Sequence, residues 1–359
     1  MSTANLDAVD LKDVNLQGWI HEDVMNQIFN ISRIPLPFTD AVGSSSHDNQ
    51  YFSWNVDKLS QPVTTGQTID GADITPGVGS TGERMGNHSE IRTKSVAVST
   101  RAQEVNSIGF ANALAYQITK LQQDLRRDVE ATALSNNPSI VATETVAGQT
   151  AGLAAWLVGD VDVLGNAVAA GSENVIRGAG GADGGWYATA ANSLVAASTP
   201  GTAVALTETA IRDVMENVYT KGGDPSILMT TPAVKRIISE YLFTSSARIA
   251  TNISQGGEGA SVREASGAFD VFLTDFGTLR LVPNRLQPHY NGTTNDYVFI
   301  MDPSYLELSY LQGYRTEPLA KSGLSDKRVI SVDWGLKVLN FDAMGGVADV
   351  LNTAPMTFA

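Results

Sequence analysis

Cysteine is absent from all 359 residues of this chain. Its absence excludes disulfide bonds and thiolate metal sites, so stability must come from burial and from contacts between subunits. Long apolar runs are absent too, because no segment approaches the roughly 20 apolar residues that a membrane-spanning helix requires. Residues 1–14 are acidic and lack the pattern of a secretory signal. We therefore expect a protein that is made and used in a cytoplasm and does not contact a membrane.

Basic side chains are scarce: 24 Lys and Arg stand against 38 Asp and Glu, and the formal net charge is −14. A chain that binds nucleic acid by itself needs clustered Lys and Arg to displace counterions from phosphates. No segment of this sequence is basic, so no such surface is predicted. The acidic balance also keeps an abundant protein soluble.

Two short motifs match the sequence patterns of enzymes but lack the flanking elements that those enzymes require. Residues 77–82 read Gly-x-Gly-x-x-Gly, but a dinucleotide-binding loop needs a strand before it and a helix after it, and the flanking residues fit neither. Asp275-Phe276-Gly277 matches the metal-binding tripeptide of kinases without the other kinase motifs, and we interpret it as a turn between strands. A mobile glycine-rich tip is the preferred interpretation of residues 77–82.

Metal-ligand spacing is also missing. The four histidines do not recur at the separations that place two ligands on one helix face or turn; they are His21, His47, His88 and His289. We therefore predict no catalytic residue, no cofactor-binding residue and no metal site, and a protein that is not an enzyme.

Apolar residues make up 43% of the chain and charged residues only 17%, which is ample for a real core in two or three compact units. At the start, Leu11 to Phe29 has apolar residues at a helix-like spacing of four, and Pro35 and Pro37 then force extended backbone. This segment is either an arm or an ordinary terminal helix and loop.

Alternating apolar residues predict two strands, one at Phe52, Trp54 and Val56 and one around Val96 and Val98. Between them, residues 61–89 are rich in glycine, so the sequence predicts a long hairpin with a weakly anchored tip. A surface loop without a function is the alternative.

The longest helical pattern runs from Ala102 to Leu134, with apolar residues every three or four positions. About 33 residues predict a helix of roughly 50 Å. Its single irregular apolar stripe argues against a coiled coil. An Ala- and Gly-rich segment, 139–205, follows, and in it we predict a short helix at 151–158 anchored by Trp156.

After residue 205, the sequence contains clear start and stop signals for helices. Thr207 is placed to cap a helix ending near Thr220, and Pro232 opens another helix that ends near Leu242. A strand at 227–229 lies between the two. Two long strands are predicted at 305–310 and 329–339.

A series of motifs in the C-terminal half has the order found in one family. These are Asp275-Phe276-Gly277, Val282-Pro283-Asn284-Arg285, Asp302-Pro303, Arg315-Thr316-Glu317-Pro318-Leu319-Ala320-Lys321-Ser322-Gly323 and Asp326-Lys327-Arg328. The series resembles the major capsid proteins of tailed bacteriophages, best over residues 205–350. Leu324 and the stretch 340–344 depart from the family's pattern.

The resemblance implies an α+β protein with the Hong Kong ninety-seven-like capsid fold. It implies six segments: an N-terminal arm, 1–50; an extended loop hairpin, 51–100; the spine helix of a peripheral domain, 101–137; an Ala/Gly-rich insertion, 138–205; an axial domain, 206–302; and return strands with the C-terminus, 303–359. The arm and the extended loop are expected to lie across neighbouring subunits.

The resemblance further implies a structural subunit of an icosahedral shell around double-stranded DNA, found in the virion after assembly in the bacterial cytoplasm. Its expected partners are copies of itself in hexamers and pentamers, portal and scaffolding proteins, and a cement or decoration protein. A wall without clustered basic residues would let packaged DNA slide. Lys58 lies where some shells of this fold carry a cross-linking lysine, but we predict no cross-link here.

Three alternatives stay open from the sequence. An encapsulin-like compartment uses the same fold around cargo enzymes. A nucleotide- or phosphate-binding enzyme would use the glycine-rich stretch, and a trimeric tail or decoration protein would form small closed oligomers.

Overall fold

The computed structural model describes residues 35–59, 62–73, 82–105, 112–187, 194–244, 270–321 and 323–357. The helices are α1 (Pro37–Ala41), α2 (Thr100–Glu104), α3 (Ala113–Ala133), α4 (Leu153–Trp156), α5 (Glu208–Thr220) and α6 (Pro232–Thr244). The strands are β1 (Gly43–Ser46), β2 (Tyr51–Val56), β3 (Glu83–His88), β4 (Glu90–Ser99), β5 (Val175–Ile176), β6 (Gly185–Tyr187), β7 (Leu194–Ala196), β8 (Ile227–Thr230), β9 (Val271–Thr274), β10 (Gly277–Pro283), β11 (Asn295–Met301), β12 (Leu306–Pro318), β13 (Ser325–Val338) and β14 (Gly345–Leu351). None of these helices is long and apolar enough to cross a membrane.

A four-stranded sheet in the order β1-β12-β13-β4 forms one half of the fold, and we call it the elongated sheet. Its two longest strands, β12 and β13, are the predicted pair and extend well beyond the predicted bounds. Helix α3 packs on one face: Lys94 Nζ lies 2.7 Å from Asp128 Oδ2, and Gln122 donates to Thr316 Oγ1 at 3.4 Å. The helix therefore crosses the sheet from β4 towards the far half of β12.

The prediction of one continuous helix from Ala102 to Leu134 is wrong. Helix α2 ends at Glu104 because Val105 has extended backbone (φ −76°, ψ 137°). Asn112 then caps a second helix, its side chain accepting from the backbone N–H of Ala115 at 3.0 Å. The 21 residues of α3 span roughly 32 Å, so the spine is about two thirds of the predicted length.

A six-stranded sheet in the order β5-β14-β11-β8-β10-β9 forms the other half, and we call it the central sheet. Strand β11 is buried along its whole length. Its alternate residues enter two apolar clusters, Val298 and Ile300 packing towards α5 and α6, and Tyr297 and Phe299 packing towards the elongated sheet. The sheet is therefore covered on both faces.

Two helices near the central sheet begin and end as the sequence predicts. Thr207 caps α5, accepting from the backbone N–H of Ala210 at 3.1 Å, and Pro232 stands at the first position of α6. Strand β8 lies between them in sequence, and the Asp275-Phe276 turn joins β9 to β10. The sheet's second strand in spatial order, β14, comes from the C-terminal segment, so residues after 303 contribute to both sheets.

The Ala- and Gly-rich segment 138–205 is part of the core. Trp156 is fully buried and stacks on Trp186, although helix α4 is only four residues long where eight were predicted. Small residues allow close backbone contact here, since a Cβ on Gly178 would lie 1.9 Å from the carbonyl oxygen of Thr202. Arg177 fixes the segment to the core by donating to Tyr290 Oη at 2.7 Å.

Candidate assembly surfaces

Strands β2 and β3 form a hairpin that pairs with no third strand in the described part of the chain. Trp54 lies opposite Met85 in its register. The predicted return strand at Val96 and Val98 is wrong as a hairpin partner, because those residues belong to β4 and pair with β13. The sequence of β3 has little apolar alternation, and its burial comes from contacts such as Asn87 Nδ2 donating to the carbonyl of Leu336 at 2.8 Å.

Apolar side chains are exposed on the loop beyond β2. Leu59 is 95% exposed, Val63 77% and Ile69 82%. A two-stranded ribbon does not bury these groups by itself, so they remain exposed in the single subunit. Residues 74–81, which hold most of the Gly-x-Gly-x-x-Gly motif, lie outside the described residues.

A cluster of four charged residues holds the base of this hairpin, and we call it the hairpin clasp. Lys58 Nζ lies 3.2 Å from Asp342 Oδ2 and 3.5 Å from Asp162 Oδ2, and Lys221 Nζ lies 3.8 Å from Asp342 Oδ1. The clasp joins the loop after β2 to the end of α5, the 160–166 turn and the C-terminal segment. The Lys58 ammonium is thus bound within its own subunit.

Burial by itself lowers the pKa of a lysine and raises that of an aspartate in the clasp. It lowers the pKa of Lys221, and the nearby Asp342 carboxylate only partly compensates. Burial would raise the pKa of Asp162, but hydrogen bonds from Asn166 and the charge of Lys58 outweigh it, so the pKa of Asp162 is lowered. Asp162 is therefore held in its charged form.

The N-terminal segment enters the described structure at a buried carboxylate. Glu130 of α3 is fully buried and accepts the backbone N–H groups of Phe38 and Thr39 at 2.8 Å each, at the start of α1. The Thr39 hydroxyl donates to it at 2.5 Å and the Asn284 amide at 2.8 Å. This contact fixes the position of the first described residues against α3.

The turn between β12 and β13 is a projecting tip. Leu324 is 83% exposed and Leu319 44%. Between them, Lys321 is exposed and lies 2.6 Å from Asp326. These residues form the end of the predicted Arg315–Gly323 motif, so the motif marks a protruding surface.

The outer strand of the central sheet presents a third apolar surface. Phe272 is buried, while Val271 and Leu273 on either side of it are 57% and 73% exposed. Tyr219 is exposed near them, with its ring 5.4 Å from that of Phe276. Apolar side chains on an edge strand favour contact with another protein surface.

The histidines considered in the sequence analysis do not converge in the structure. His47 Nδ1 lies 2.8 Å from Ser309 Oγ, His289 bonds to the buried Asp296, and His88 contacts the Tyr51 ring. The described residues contain no group of three His, Asp or Glu side chains placed to hold a metal ion. His21 lies outside them. Sequence analysis missed the hairpin clasp and Glu130, because isolated charged residues carry no signal of burial.

Comparison with known proteins identifies the family. A family model described as the SU10 major capsid protein matches residues 3–351. The major capsid protein of Escherichia phage Phieco32 is 25% identical over 341 residues, covering 89% of this chain and 91% of that protein.

Similar solved structures include the Cyanophage A-1(L) capsid, with a TM-score of 0.60, 13% identity and coverage of 95% of this chain and 99% of that one. The capsid of a native GTA particle has a TM-score of 0.59 and 11% identity, and the match covers 96% of this chain and 100% of that one. Mycobacterium phage Bobi has a TM-score of 0.54 and 12% identity, with coverage of 96% of this chain and 99% of that one. The predicted α+β class and Hong Kong ninety-seven-like capsid fold are confirmed. The chain belongs to the SU10 major capsid protein family and is the major capsid protein of a phage.

Proposed function

We propose that copies of this chain assemble as hexamers and pentamers into an icosahedral shell that encloses double-stranded DNA. The observation that carries the proposal is the distribution of exposed apolar side chains. They lie on the hairpin loop (Leu59), on the β12–β13 tip (Leu324) and on the edge of the central sheet (Leu273). Three separated surfaces of this kind suit a subunit that contacts several neighbours.

Within the shell, we assign the loop between β2 and β3 to an extended loop that lies over a neighbouring subunit. Of residues 1–50, expected as an arm, residues 1–34 lie outside the described residues, and α1 and β1 pack within their own subunit. The elongated sheet with α3 would be the peripheral domain, and the central sheet with α5 and α6 the axial domain around the local symmetry axes.

In this proposal the shell wall encloses the DNA and does not recognise its sequence. A net charge of −14 supports enclosure without sequence-specific binding. Portal and scaffolding proteins, and a cement or decoration protein, are the proposed partners. The protein would act without catalysis, assemble in the cytoplasm of the bacterial host and remain in the virion.

Expression of the chain alone, followed by size exclusion and negative-stain electron microscopy of the largest fraction, tests the proposal. Hollow polyhedral particles or capsomer rings are expected. A monomer, or a closed oligomer smaller than a pentamer, also in the presence of the scaffolding protein from the same phage, contradicts it. Particles that enclose an enzyme instead of DNA during phage production would favour an encapsulin-like compartment.

A further inference from the structure

An open pocket of about 260 Å³ lies where β3 passes into β4. His88, Ser89 and Ile91 line one side, the segment 142–148 another, and Asp333 of β13 a third. Asp333 and Ile91 are directly opposite each other in the β13–β4 register, so their side chains project from the same face of the elongated sheet. This is the face opposite to the one that α3 covers.

Asp333 gives the pocket its chemistry. It is 8% exposed, and its Oδ1 atom has no hydrogen-bond partner among the described residues. Its negative charge acts on the His47 ring and opposes the lowering of that ring's pKa by burial. A buried carboxylate oxygen without a hydrogen-bond donor is costly, so this atom favours a charged donor brought from outside. The pocket entrance is apolar, since Ile91 is 68% and Val146 46% exposed.

A buried carboxylate below an apolar entrance fits a long basic side chain. The aliphatic stem would pack on Ile91 and Val146, and the charged head would reach Asp333. A small inorganic cation would leave the apolar entrance exposed, so the pocket is better matched to a protein side chain.

Lys321 and its apolar neighbours on the β12–β13 tip complement the pocket's carboxylate and its apolar entrance. It lies between the exposed Leu319 and Leu324, and its bond to Asp326 is an exposed ion pair of the kind that contributes little. Within one subunit the tip cannot reach the pocket, because the nine residues from Leu324 to Asp333 run along β13 and span roughly 30 Å. A Lys321 side chain that enters this pocket therefore belongs to a second copy.

We propose that Lys321 of one subunit occupies the Asp333 pocket of a neighbouring subunit, with Leu319 and Leu324 packing on the pocket entrance. The inference rests on the proposed assembly into shells and names one contact within it. It makes Asp333 a specificity residue for subunit pairing.

The natural absence of cysteine allows a direct test. Val146→Cys and Leu324→Cys are introduced together, particles are assembled and oxidised, and the products are separated without reductant. Cross-linked dimers and longer ladders are expected from the double variant and only monomers from each single variant. A double variant that stays monomeric within intact particles overturns the proposal.

The second test removes the charge of Asp333 or of Lys321 and measures the yield of particles. Asp333→Asn and Lys321→Met are each expected to lower the yield of particles about tenfold at a fixed subunit concentration, and the double variant no further than either one. If the two single losses of yield add up in the double variant, the pairing is contradicted. A wild-type yield of particles from Asp333→Asn also contradicts it. Thermal melting of the unassembled variants controls for folding. Failure of the wild-type chain to form particles would instead contradict the proposed function.

Discussion

The Asn284 side-chain amide donates a hydrogen bond of 2.8 Å to the buried Glu130 carboxylate, across 154 positions of the chain. Asn284 follows β10 of the central sheet, and Glu130 lies on the helix that covers the elongated sheet. The same carboxylate holds Phe38 and Thr39. The Asn-Arg motif that first suggested the family therefore includes a residue that joins both sheets to helix α1.

Glu130→Gln is expected to lower the free energy of unfolding by about 3 kcal/mol. The change replaces one acceptor oxygen by an amide that faces donors, and it removes charge-assisted hydrogen bonds. Urea unfolding of the unassembled protein measures the loss. Asp124→Asn, a partly exposed change on the same helix, serves as the control. A loss below about 0.5 kcal/mol would contradict the role given to Glu130.

Trp156→Ala is expected to destabilise the subunit by about 3–5 kcal/mol, the usual cost of removing a large aromatic side chain from a core. The ring is fully buried between Trp54 and Trp186. Thermal melting checks the expectation. If the Ala- and Gly-rich segment were a peripheral appendage, the variant would keep the stability of the wild type.

The hairpin clasp should make stability depend on pH through Asp162. The pKa of Asp162 is lowered from 3.8 in the folded protein, so its contribution is fully present above the unfolded value and is lost as the pH falls through the folded value. Asp162→Asn should therefore destabilise the subunit at pH 6 and have progressively less effect as the pH falls below 3.8. Unfolding of both proteins across this range measures the difference, with the exposed Asp57→Asn as the control. An equal difference at both ends would contradict the prediction.

Leu273→Glu is expected to abolish particle formation and to leave the stability of the unassembled subunit within about 0.5 kcal/mol of the wild type, because the side chain is 73% exposed. Leu273→Met keeps an apolar surface and should assemble. Sedimentation separates particles from free subunits. Normal particles from the Glu variant would exclude this edge from the subunit contacts.

Local signals explain what the sequence could predict. Thr207 and Pro232 mark helix starts because capping and the fixed φ of proline act within a few residues. The break between α2 and α3 was missed because the apolar stripe continues across it, and Asn112 was not recognised as a cap. Strand β3 was missed because its burial depends on distant partners such as Leu336. Glu130 and Asp333 could not be placed at all, since sequence alone does not show which charges are buried.

Strand β14 lies between β5 and β11, although it is the last of the described strands to be synthesised. A ribosome must therefore translate as far as Leu351 before the central sheet can close, and until then β5 and the outer edge of β11 lack the strand that separates them. Chains released early would not complete this sheet. Folding itself would then act as a proofreading step, admitting finished subunits to assembly and leaving truncated ones to proteolysis.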